Sequence, residues 1–419
     1  MSEILSIYEI ADLNKNSITA KDNFSFIHYL DTSSLTKNKV DSLQFLESDF
    51  PSRAKRKVTI NTILYSTVRP NQEHFGIIEN QIEDNLIAST GFTTIDIVSS
   101  KINAKYLYYK LIQPFVTNYL QGIAENSVSA YPSIKPEAIG NLRFSFPNLL
   151  TQQIIASVLS TIDDKIELNN QINDNLEQMA KTLYDYWFVQ FDFPDENGKP
   201  YKSSGNKMVW NEVLKRDIPI GWELKTIGDY CKSRGGFAFK SSWWTTFGES
   251  VIKIKDIQEN STLNLSDLSL VNLEGKNIDD KFKAKAGDIV IAMTGATVGK
   301  YAIVPNTNKQ LYVNQRVGYF DLGLSPTIKL PYLINSLNQK YFREAIFTLA
   351  SGAAQPNISN EQINSIQLLM PTNQLIENFN SQLKSSYDKI LNNQNENQQL
   401  SSLRDWLLPM LMNGQVKVE

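Results

Sequence analysis

Hydrophobic positions between residues 151 and 187 recur every three or four residues, and neither glycine nor proline interrupts them. This spacing predicts a long helix that packs along a second helix. Two asparagines break the apolar stripe at its centre. The predicted packing positions are Ile155, Leu159, Ile162, Ile166, Asn169, Asn173, Leu176, Ala180, Leu183 and Trp187.

The same stripe returns near the C-terminus, with each position 224 residues beyond its counterpart. Its positions are Phe379, Leu383, Ser386, Ile390, Asn393, Asn397, Leu400, Arg404, Leu407 and Leu411. The offset also relates two segments that precede the helices, since Pro132, Ile134, Ile139, Leu142 and Pro147 match Pro356, Ile358, Ile363, Ile366 and Pro371. Further upstream, at an offset of 226, Ile63 and Leu64 match Ile289 and Val290. Chance similarity is the alternative, but one offset kept across a loop, a turn and a helix favours a tandem duplication.

Two repeats predict a pseudo-twofold molecule rather than a solenoid. Parallel helices would crowd both globular parts at one end, so an antiparallel pairing is expected. It places Asn169 opposite Asn397 and Asn173 opposite Asn393. Polar residues in an apolar seam fix its register, although a parallel pairing would align them too. A seam of about 33 residues spans ~50 Å, which suits two domains that address DNA one to one-and-a-half turns apart.

The expected fold class is α+β, with two tandem globular domains of mixed helix and strand joined by two long helices in an antiparallel coiled coil. The predicted domains are residues 1–149, residues 150–215 as central helix and exit loop, residues 216–370, and residues 371–419 as C-terminal helix. Residues 59–68 are rich in strand-forming side chains, and residues 105–111 favour helix. Residues 188–211 are rich in glycine, proline, serine and asparagine, which predicts a loop or linker.

The composition excludes some classes of protein but does not identify a binding partner. No apolar run approaches the ~20 residues of a membrane span, and the N-terminus lacks the features of a signal peptide. A single cysteine, Cys231, rules out an internal disulfide framework and fits a cytoplasmic location. The net charge is −3, but residues 216–370 hold 17 basic and 14 acidic residues. DNA binding requires a basic face rather than a basic total, so the charge permits it.

Cations and hydroxyl groups without an intervening acid lie between Phe50 and Asn71 in the first domain. Arginine suits guanine edges, whereas lysine and serine suit phosphate oxygens. The alternative is a solvated basic loop. The candidate DNA-binding residues here are Ser52, Arg53, Lys55, Arg56, Lys57, Ser66, Thr67, Arg69 and Asn71.

In the second domain, residues 287–304 predict a strand, a glycine-containing turn and another strand. Glycine allows close backbone approach to a phosphate, and asparagine and glutamine pair with adenine edges. Alternatively, these are turn residues that hold hairpins. The candidates are Thr294, Gly295, Thr297, Lys300, Asn314, Gln315, Arg316, Gln355 and Asn357.

No catalytic constellation emerges from the sequence. The segment Gly295–Lys300 is one residue short of a P-loop, and Tyr301 replaces its Ser or Thr. Asp267 with the segment Glu274–Lys276 only loosely resembles a nuclease triplet. Two histidines and one cysteine give poor support to zinc binding or histidine catalysis. Motifs of adenine methyltransferases are absent, so we expect a binding protein with no catalytic residue and no metal ligand.

Several segments together resemble one family over essentially the whole chain. They are LYSTVRP (Leu64–Pro70), ASTGF (Ala88–Phe92), LYDYWFVQFDF (Leu183–Phe193), GKPYKSSG (Gly198–Gly205), IPIGWEL (Ile218–Leu224), MTGATVGK (Met293–Lys300) and GAAQPNIS (Gly352–Ser359). The chain thereby resembles the specificity subunit of type I restriction-modification systems, which act in DNA methylation and phage defence. One departure is that the first half has no clear counterpart of IPIGWEL near its start.

The resemblance implies two target-recognition domains, each reading half of a split double-stranded DNA sequence, and two helices that set the gap. It implies that these helices dock methyltransferase (M) subunits, expected to be two, and that restriction/translocase (R) subunits join the complex. It also implies that S-adenosylmethionine, ATP and Mg²⁺ belong to the partner subunits and that this chain is not an enzyme. Two other hypotheses stay open: a coiled-coil scaffold that links two protein-binding domains without DNA, and a standalone nuclease.

Overall fold

The computed structural model describes residues 3–416 except 20, 80–82, 128–130, 259–260 and 352–354. Three residues of the GAAQPNIS segment, 352–354, therefore lie outside the described residues. Contacts divide the chain into unit 1, Met1–Asp164 with Ser401–Glu419, and unit 2, Lys165–Leu400. None of the helices in the described part of the chain is long and apolar enough to cross a membrane.

Unit 1 builds two four-stranded sheets. Its strands are β1 Glu3–Ser6, β2 Ala11–Leu13, β3 Ile27–Leu30, β4 Leu35–Thr36, β5 Lys39–Val40, β6 Gln44–Leu46, β7 Ala54–Lys57, β8 Ile63–Ser66, β9 Phe75–Ile77, β10 Leu86–Ser89, β11 Phe92–Ile97 and β12 Arg143–Phe146. Its helices are α1 Ile7–Ile10, α2 Ala104–Leu111, α3 Pro114–Glu125, α4 Pro136–Gly140 and the start of α5 Leu149–Tyr184. Short 3₁₀ turns lie at Thr32–Ser34 and Pro70–Gln72. The strand expected within residues 59–68 and the helix expected near residues 105–111 are confirmed by β8 and α2.

The strands of unit 2 are β13 Met208–Asn211, β14 Arg216–Pro219, β15 Glu223–Thr226, β16 Ser233–Gly235, β17 Trp244–Thr245, β18 Glu249–Ile252, β19 Ser269–Val271, β20 Lys283–Ala284, β21 Ile289–Ala292, β22 Tyr301–Ile303, β23 Leu311–Val313, β24 Val317–Phe320 and β25 Gln367–Met370. Its helices are α6 Ile227–Tyr230, α7 Leu330–Leu337, α8 Lys340–Ala350, α9 Asn360–Asn364 and most of α10 Asn373–Met412. Four 3₁₀ turns lie at Ser241–Trp243, Ile254–Asp256, Asp280–Phe282 and Pro326–Ile328. The predicted pair of strands in residues 287–304 is confirmed by β21 and β22, which pair antiparallel.

The two units repeat one topology. One sheet has the order β2-β11-β8-β9 in unit 1 and β16-β24-β21-β22 in unit 2. In the other sheet, β3 lies parallel to β10 in unit 1, as β18 lies parallel to β23 in unit 2. Since strand order and direction match as well as sequence spacing, the structure confirms the tandem duplication.

The first half has a structural counterpart of the IPIGWEL region although its sequence differs. Strand β1 pairs antiparallel with β12, just as β15 pairs with β25. A short helix follows each strand, and the same capping box begins both helices, Ser6 with Glu9 and Thr226 with Asp229. The carboxylate of each box accepts the backbone N–H of the capping residue, which fixes the turn out of the strand. This capping box is the sequence feature that could have revealed the counterpart of the IPIGWEL region in the first half.

Residues 188–211 lack long regular elements, as predicted, but the expectation of a linker is wrong for their first part. Phe188, Phe191 and Phe193 are buried in the core of unit 2. Their ring centroids lie 5.9, 5.2 and 5.4 Å from that of Trp222. A π-helical turn, Asp185–Val189, directs the chain into this contact at the end of α5. Aromatic burial therefore anchors the segment, despite its polar composition.

The long helices α5 and α10 have 36 and 40 residues, and α10 continues through Pro409 in its last turn. Within unit 2, Asn169 Nδ2 donates to Asn397 Oδ1 at 2.9 Å, and Asn393 Nδ2 donates to Asn173 Oδ1 at 2.8 Å. Residue numbers thus rise along one helix as they fall along the other. The helices pair antiparallel in the predicted register.

Burial along the predicted seam follows the apolar stripe. Buried positions are Ile155, Leu159, Ile162, Asn169, Asn173, Ala180, Trp187, Phe379, Leu383, Ile390, Asn393 and Leu411. Half-buried positions are Ile166, Leu176, Leu183, Ser386, Asn397, Leu400, Arg404 and Leu407. In unit 1 the Arg404 guanidinium contacts Asp163 at 2.8 Å, and Tyr109 donates to the same carboxylate at 2.6 Å. A charged network thereby closes this end of the seam.

Candidate nucleic-acid interface

In unit 1, three segments distant in sequence meet after strand β8. The N–H of Ile134 donates to Thr67 O at 2.8 Å, and the N–H of Arg69 donates to Pro132 O at 2.9 Å. Thr67 in turn donates from its N–H and its hydroxyl to Gly91 O, at 2.8 and 2.9 Å. These bonds join the loop after β8 to the β10–β11 turn and to the segment before α4.

Unit 2 repeats the three backbone hydrogen bonds of this arrangement. The N–H of Ile358 donates to Met293 O at 2.9 Å, and the N–H of Gly295 donates to Pro356 O at 2.9 Å. The N–H of Met293 donates to Arg316 O at 3.0 Å. We call each arrangement a junction, comprising residues 67–71, 89–91 and 131–134 in unit 1 and residues 293–297, 314–316 and 355–358 in unit 2.

The junction of unit 2 gathers three of the sequence-predicted segments. Thr294 forms a β-bridge with Asn357, and the Gln355 side chain lies against Gly295. Exposed amide and guanidinium side chains, the groups that pair bidentately with base edges, therefore share one surface. They are Gln315, Arg316, Gln355 and Asn357, beside half-buried Asn314.

Thr297 and Lys300 close the turn between β21 and β22, and the N–H of Lys300 donates to Thr297 O at 3.0 Å. The turn passes close to helix α8. A Cβ on Gly299, whose φ is +85°, would lie 2.7 Å from Ile346 Cγ2. Glycine is required here both for the backbone conformation and for the close approach.

Arg69 occupies the position that Gly295 occupies in unit 2, and both residues have positive φ, +46° and +82°. The left-handed conformation strains a residue with a Cβ by about 1 kcal/mol or more. Surrounding backbone bonds hold Arg69 there, and its guanidinium lies 5.0 Å from the ring centroid of Tyr131. Such strain is concentrated at functional positions. Sequence reasoning missed Tyr131 because 62 positions separate it from Arg69.

The other candidates of unit 1 fall into two groups. Ser52, Arg53, Lys55 and Asn71 are exposed, and the carbonyl of Arg53 accepts the N–H of Thr90 at 2.8 Å, next to the junction. The remaining three have intramolecular partners. Ser66 is buried and donates to Val68 O at 2.9 Å, Arg56 donates to Ser17 Oγ at 3.0 Å, and Lys57 pairs with Asp22.

A buried carboxylate supports the strand that leads into the junction of unit 2. Asp288 is 1% exposed and accepts the backbone N–H groups of Lys285 and Leu322 at 2.8 and 3.2 Å. Burial raises the pKa of this carboxyl from 3.8 to about 6. The backbone bonds act in the opposite direction, but burial outweighs them.

This shift predicts a pH-dependent stability. Between pH 4 and 6 the folded state holds a proton on Asp288 that the unfolded state has lost, so the free energy of unfolding falls as pH rises. Asp288→Asn cannot titrate. Relative to that of wild type, the free energy of unfolding of the variant should therefore rise by up to about 3 kcal/mol between pH 4 and 7. Urea unfolding of both proteins at each pH measures this, and a stability difference that does not change with pH would contradict it.

The residues that loosely resemble a nuclease triplet, Asp267, Glu274 and Lys276, form ordinary surface contacts. Asp267 is exposed and pairs with Lys255 at 3.1 Å, and Lys276 Nζ contacts Glu274 O at 3.3 Å. Within the described ranges, no three His, Cys, Asp or Glu side chains come together as metal ligands would.

Comparison with known proteins agrees with this architecture. The family model described as the type I restriction modification DNA specificity domain matches residues 2–178 and, a second time, residues 219–401. The type I restriction enzyme HindI specificity subunit of Haemophilus influenzae is 28% identical, over 98% of this chain and 99% of that protein. The MjaIX specificity subunit of Methanocaldococcus jannaschii is 26% identical, over 80% of this chain and 74% of that protein.

A solved structure shares the fold at low sequence identity. The type I restriction-modification S subunit from M. genitalium aligns with 98% of this chain and 96% of its own, at 15% identity and a TM-score of 0.54. Because the family model matches twice and each match contains one junction, this chain belongs to the type I restriction-modification DNA specificity family.

Proposed function

We propose that the two junctions read the two halves of a bipartite double-stranded DNA target and that the chain itself performs no catalysis. One observation carries this proposal: the same backbone junction is built twice, with different side chains at equivalent places. Arg69 stands where unit 2 has Gly295, and Ser133 stands where unit 2 has Asn357. Since hydrogen-bonding groups on base edges are read by side chains, different side chains on one frame suit different half-sites.

The long helices supply the second part of the proposal, a spacer and a docking surface. Apolar side chains remain exposed along them, at Leu168 and Met179 on α5 and at Leu403 and Trp406 on α10. We propose that methyltransferase subunits, two per chain, cover these positions, and that restriction/translocase subunits join through that complex in the cytoplasm. S-adenosylmethionine, ATP and Mg²⁺ would then bind to the partner subunits. The mass of the co-purified complex tests this, and a single methyltransferase copy would contradict the stoichiometry.

Replacing Arg69 separates DNA binding from stability. Arg69→Gly removes the guanidinium and the strain of a positive φ, so the variant should be as stable as wild type or about 1 kcal/mol more stable. Affinity for the full target should fall about ten- to a hundredfold, because a lost arginine–base contact weakens binding by about 1–3 kcal/mol. Fluorescence anisotropy with DNA altered in either half-site measures the effect.

Lys215→Gly is the matched control, because it removes a cation at φ +50° from a surface loop of unit 2. It should bind DNA as wild type does. For Arg69→Gly, further alteration of the half-site read by unit 1 should have little effect, whereas alteration of the other half-site should have its full effect. Equal sensitivity to both halves would argue against the assignment.

Salt dependence distinguishes DNA reading from the alternative of a scaffold that binds proteins only. Neutralised phosphates release counterions, so DNA affinity falls steeply with salt. An apolar protein interface would not respond in this way. The nuclease alternative predicts that the purified chain cuts DNA in Mg²⁺, and cutting abolished by Asp267→Ala would overturn our proposal.

A further inference from the structure

Unit 2 places three lysines over two adjacent tryptophans, outside the junction. Lys253 Nζ lies 3.5 Å from the ring centroid of Trp244. Lys276 and Lys240 lie 5.3 and 5.8 Å from that of Trp243. These distances are those of cation–π contacts. We call these five residues the lysine–tryptophan patch.

A small aromatic core packs against the two tryptophan rings. Phe237 stacks on Trp243 at 6.0 Å with an interplanar angle of 12°, and Phe239 meets Trp244 edge to face at 5.7 Å. Trp244 begins the edge strand β17, where it pairs with Val271 of β19. Both tryptophans remain only half-buried. The lysines therefore lie over rings that neighbouring aromatic side chains hold in place.

Charge distinguishes the patch from neighbouring lysines. In the part of the chain that the structure describes, Lys240, Lys253 and Lys276 form no ion pair. Lys281 also lies over a ring, 5.2 Å from Phe282, but it pairs with Asp279 at 3.1 Å. The patch thus gathers three positive charges that have no ion-pair partner among the described residues.

The carboxylate whose charge acts on the Lys253 ammonium belongs to Asp256. It is buried and accepts the backbone N–H of Lys253 at 2.7 Å, which caps the turn at Ile254–Asp256. Burial, followed by the charge of neighbouring Lys255, lowers the pKa of the Lys253 ammonium. An external anion would relieve this crowding of positive charge.

One residue links the patch to the junction of unit 2. Phe237 forms a parallel β-bridge with Asn314, and its carbonyl accepts the N–H of Gln315 at 3.0 Å. The ring that supports Trp243 is thus attached to the backbone of two candidate base-reading residues. Patch and junction form a continuous part of unit 2.

We propose that the lysine–tryptophan patch binds the phosphodiester backbone of the DNA half-site that the junction of unit 2 reads. The ammonium groups cover the ring faces, so the rings position cations rather than stack on bases. Phosphate contacts of this kind set orientation and affinity without reading sequence. This inference rests on the proposed DNA-reading function and adds a contact that the sequence did not suggest.

Lysine-to-methionine variants test the patch, because methionine keeps an unbranched apolar chain over the ring and removes the charge. The full-length chain, co-purified with its methyltransferase subunits, is titrated with a random-sequence duplex and with the target duplex at several salt concentrations. Each of Lys240→Met, Lys253→Met and Lys276→Met should lower the slope of log affinity against log salt by about 0.9. The loss should be the same on both duplexes.

Lys281→Met is the matched control, since its charge is already paired, and its salt slope should equal that of wild type. Circular dichroism melting identifies any variant that is misfolded, and Lys→Arg at the same position should restore the slope. If wild type binds DNA but the triple methionine variant keeps its slope, or if Lys281→Met loses as much, the patch proposal fails alone. Absence of salt-dependent DNA binding by wild type would instead refute the proposed function.

Discussion

A target duplex whose half-sites are moved two base pairs further apart is expected to lose about 10²- to 10⁴-fold in affinity. Two base pairs of B-DNA advance one half-site by about 7 Å and rotate it by about 70°. If the paired helices form a stiff spacer, both junctions cannot then meet their half-sites together. The binding free energy then loses the contribution of one half-site, which is about 1–3 kcal/mol for each base pair that is no longer contacted.

The experiment uses the target obtained by mapping methylated bases in the host genome. The complex of the chain with its methyltransferase is titrated with duplexes whose spacer is shortened or lengthened in single base pairs. Two base pairs added outside the half-sites serve as the control and should change nothing. Equal affinity across the spacer series would refute the spacer role of the helices.

The second large effect concerns the asparagines at the centre of the helix pair. Asn393→Leu removes the donor to Asn173 Oδ1, and both asparagines are buried, at 1% and 7% exposure. A buried acceptor without a donor destabilises the fold by about 1–3 kcal/mol. The urea midpoint of the variant should fall accordingly, whereas the exposed Gln399→Leu on the same helix should stay within about 0.5 kcal/mol of wild type.

The double variant Asn173→Leu with Asn393→Leu separates stability from register. It leaves no unpaired group at this layer, so much of the lost stability should return. A uniformly apolar seam specifies register less strongly, so the double variant should tolerate a wider range of DNA spacer lengths. A double variant with wild-type spacer preference would show that the asparagines do not set the register.

Elements with a strong local period were predicted well. The stripe from Ile155 to Trp187 and its copy from Phe379 to Leu411 are helices, because no other regular secondary structure places residues at this spacing on one face. Their antiparallel direction followed from connectivity, and the hydrogen bond between Asn169 and Asn397 confirms the register. The offset in numbering also revealed the duplication, because it depends only on residue order.

Predictions failed or fell short where the deciding neighbour lies far along the chain. Phe191 and Phe193 lie in a segment of turn-forming residues, and only their contact with Trp222 shows that the segment is buried. In the lysine–tryptophan patch, residues from 240 to 276 meet because β17, β18 and β19 lie side by side. Such neighbours leave no periodic trace in the sequence.

By itself, the sequence determined the two long helices, the tandem repeat and the segments from which the candidate interface is drawn. These follow from residue spacing, which local backbone geometry converts directly into structure. The tertiary structure alone decided which candidate side chains meet at the junctions, why Arg69 holds a strained conformation, and which lysines remain without an acidic partner. Those properties depend on backbone bonds and charges between distant segments, which exist only once the sheets have formed.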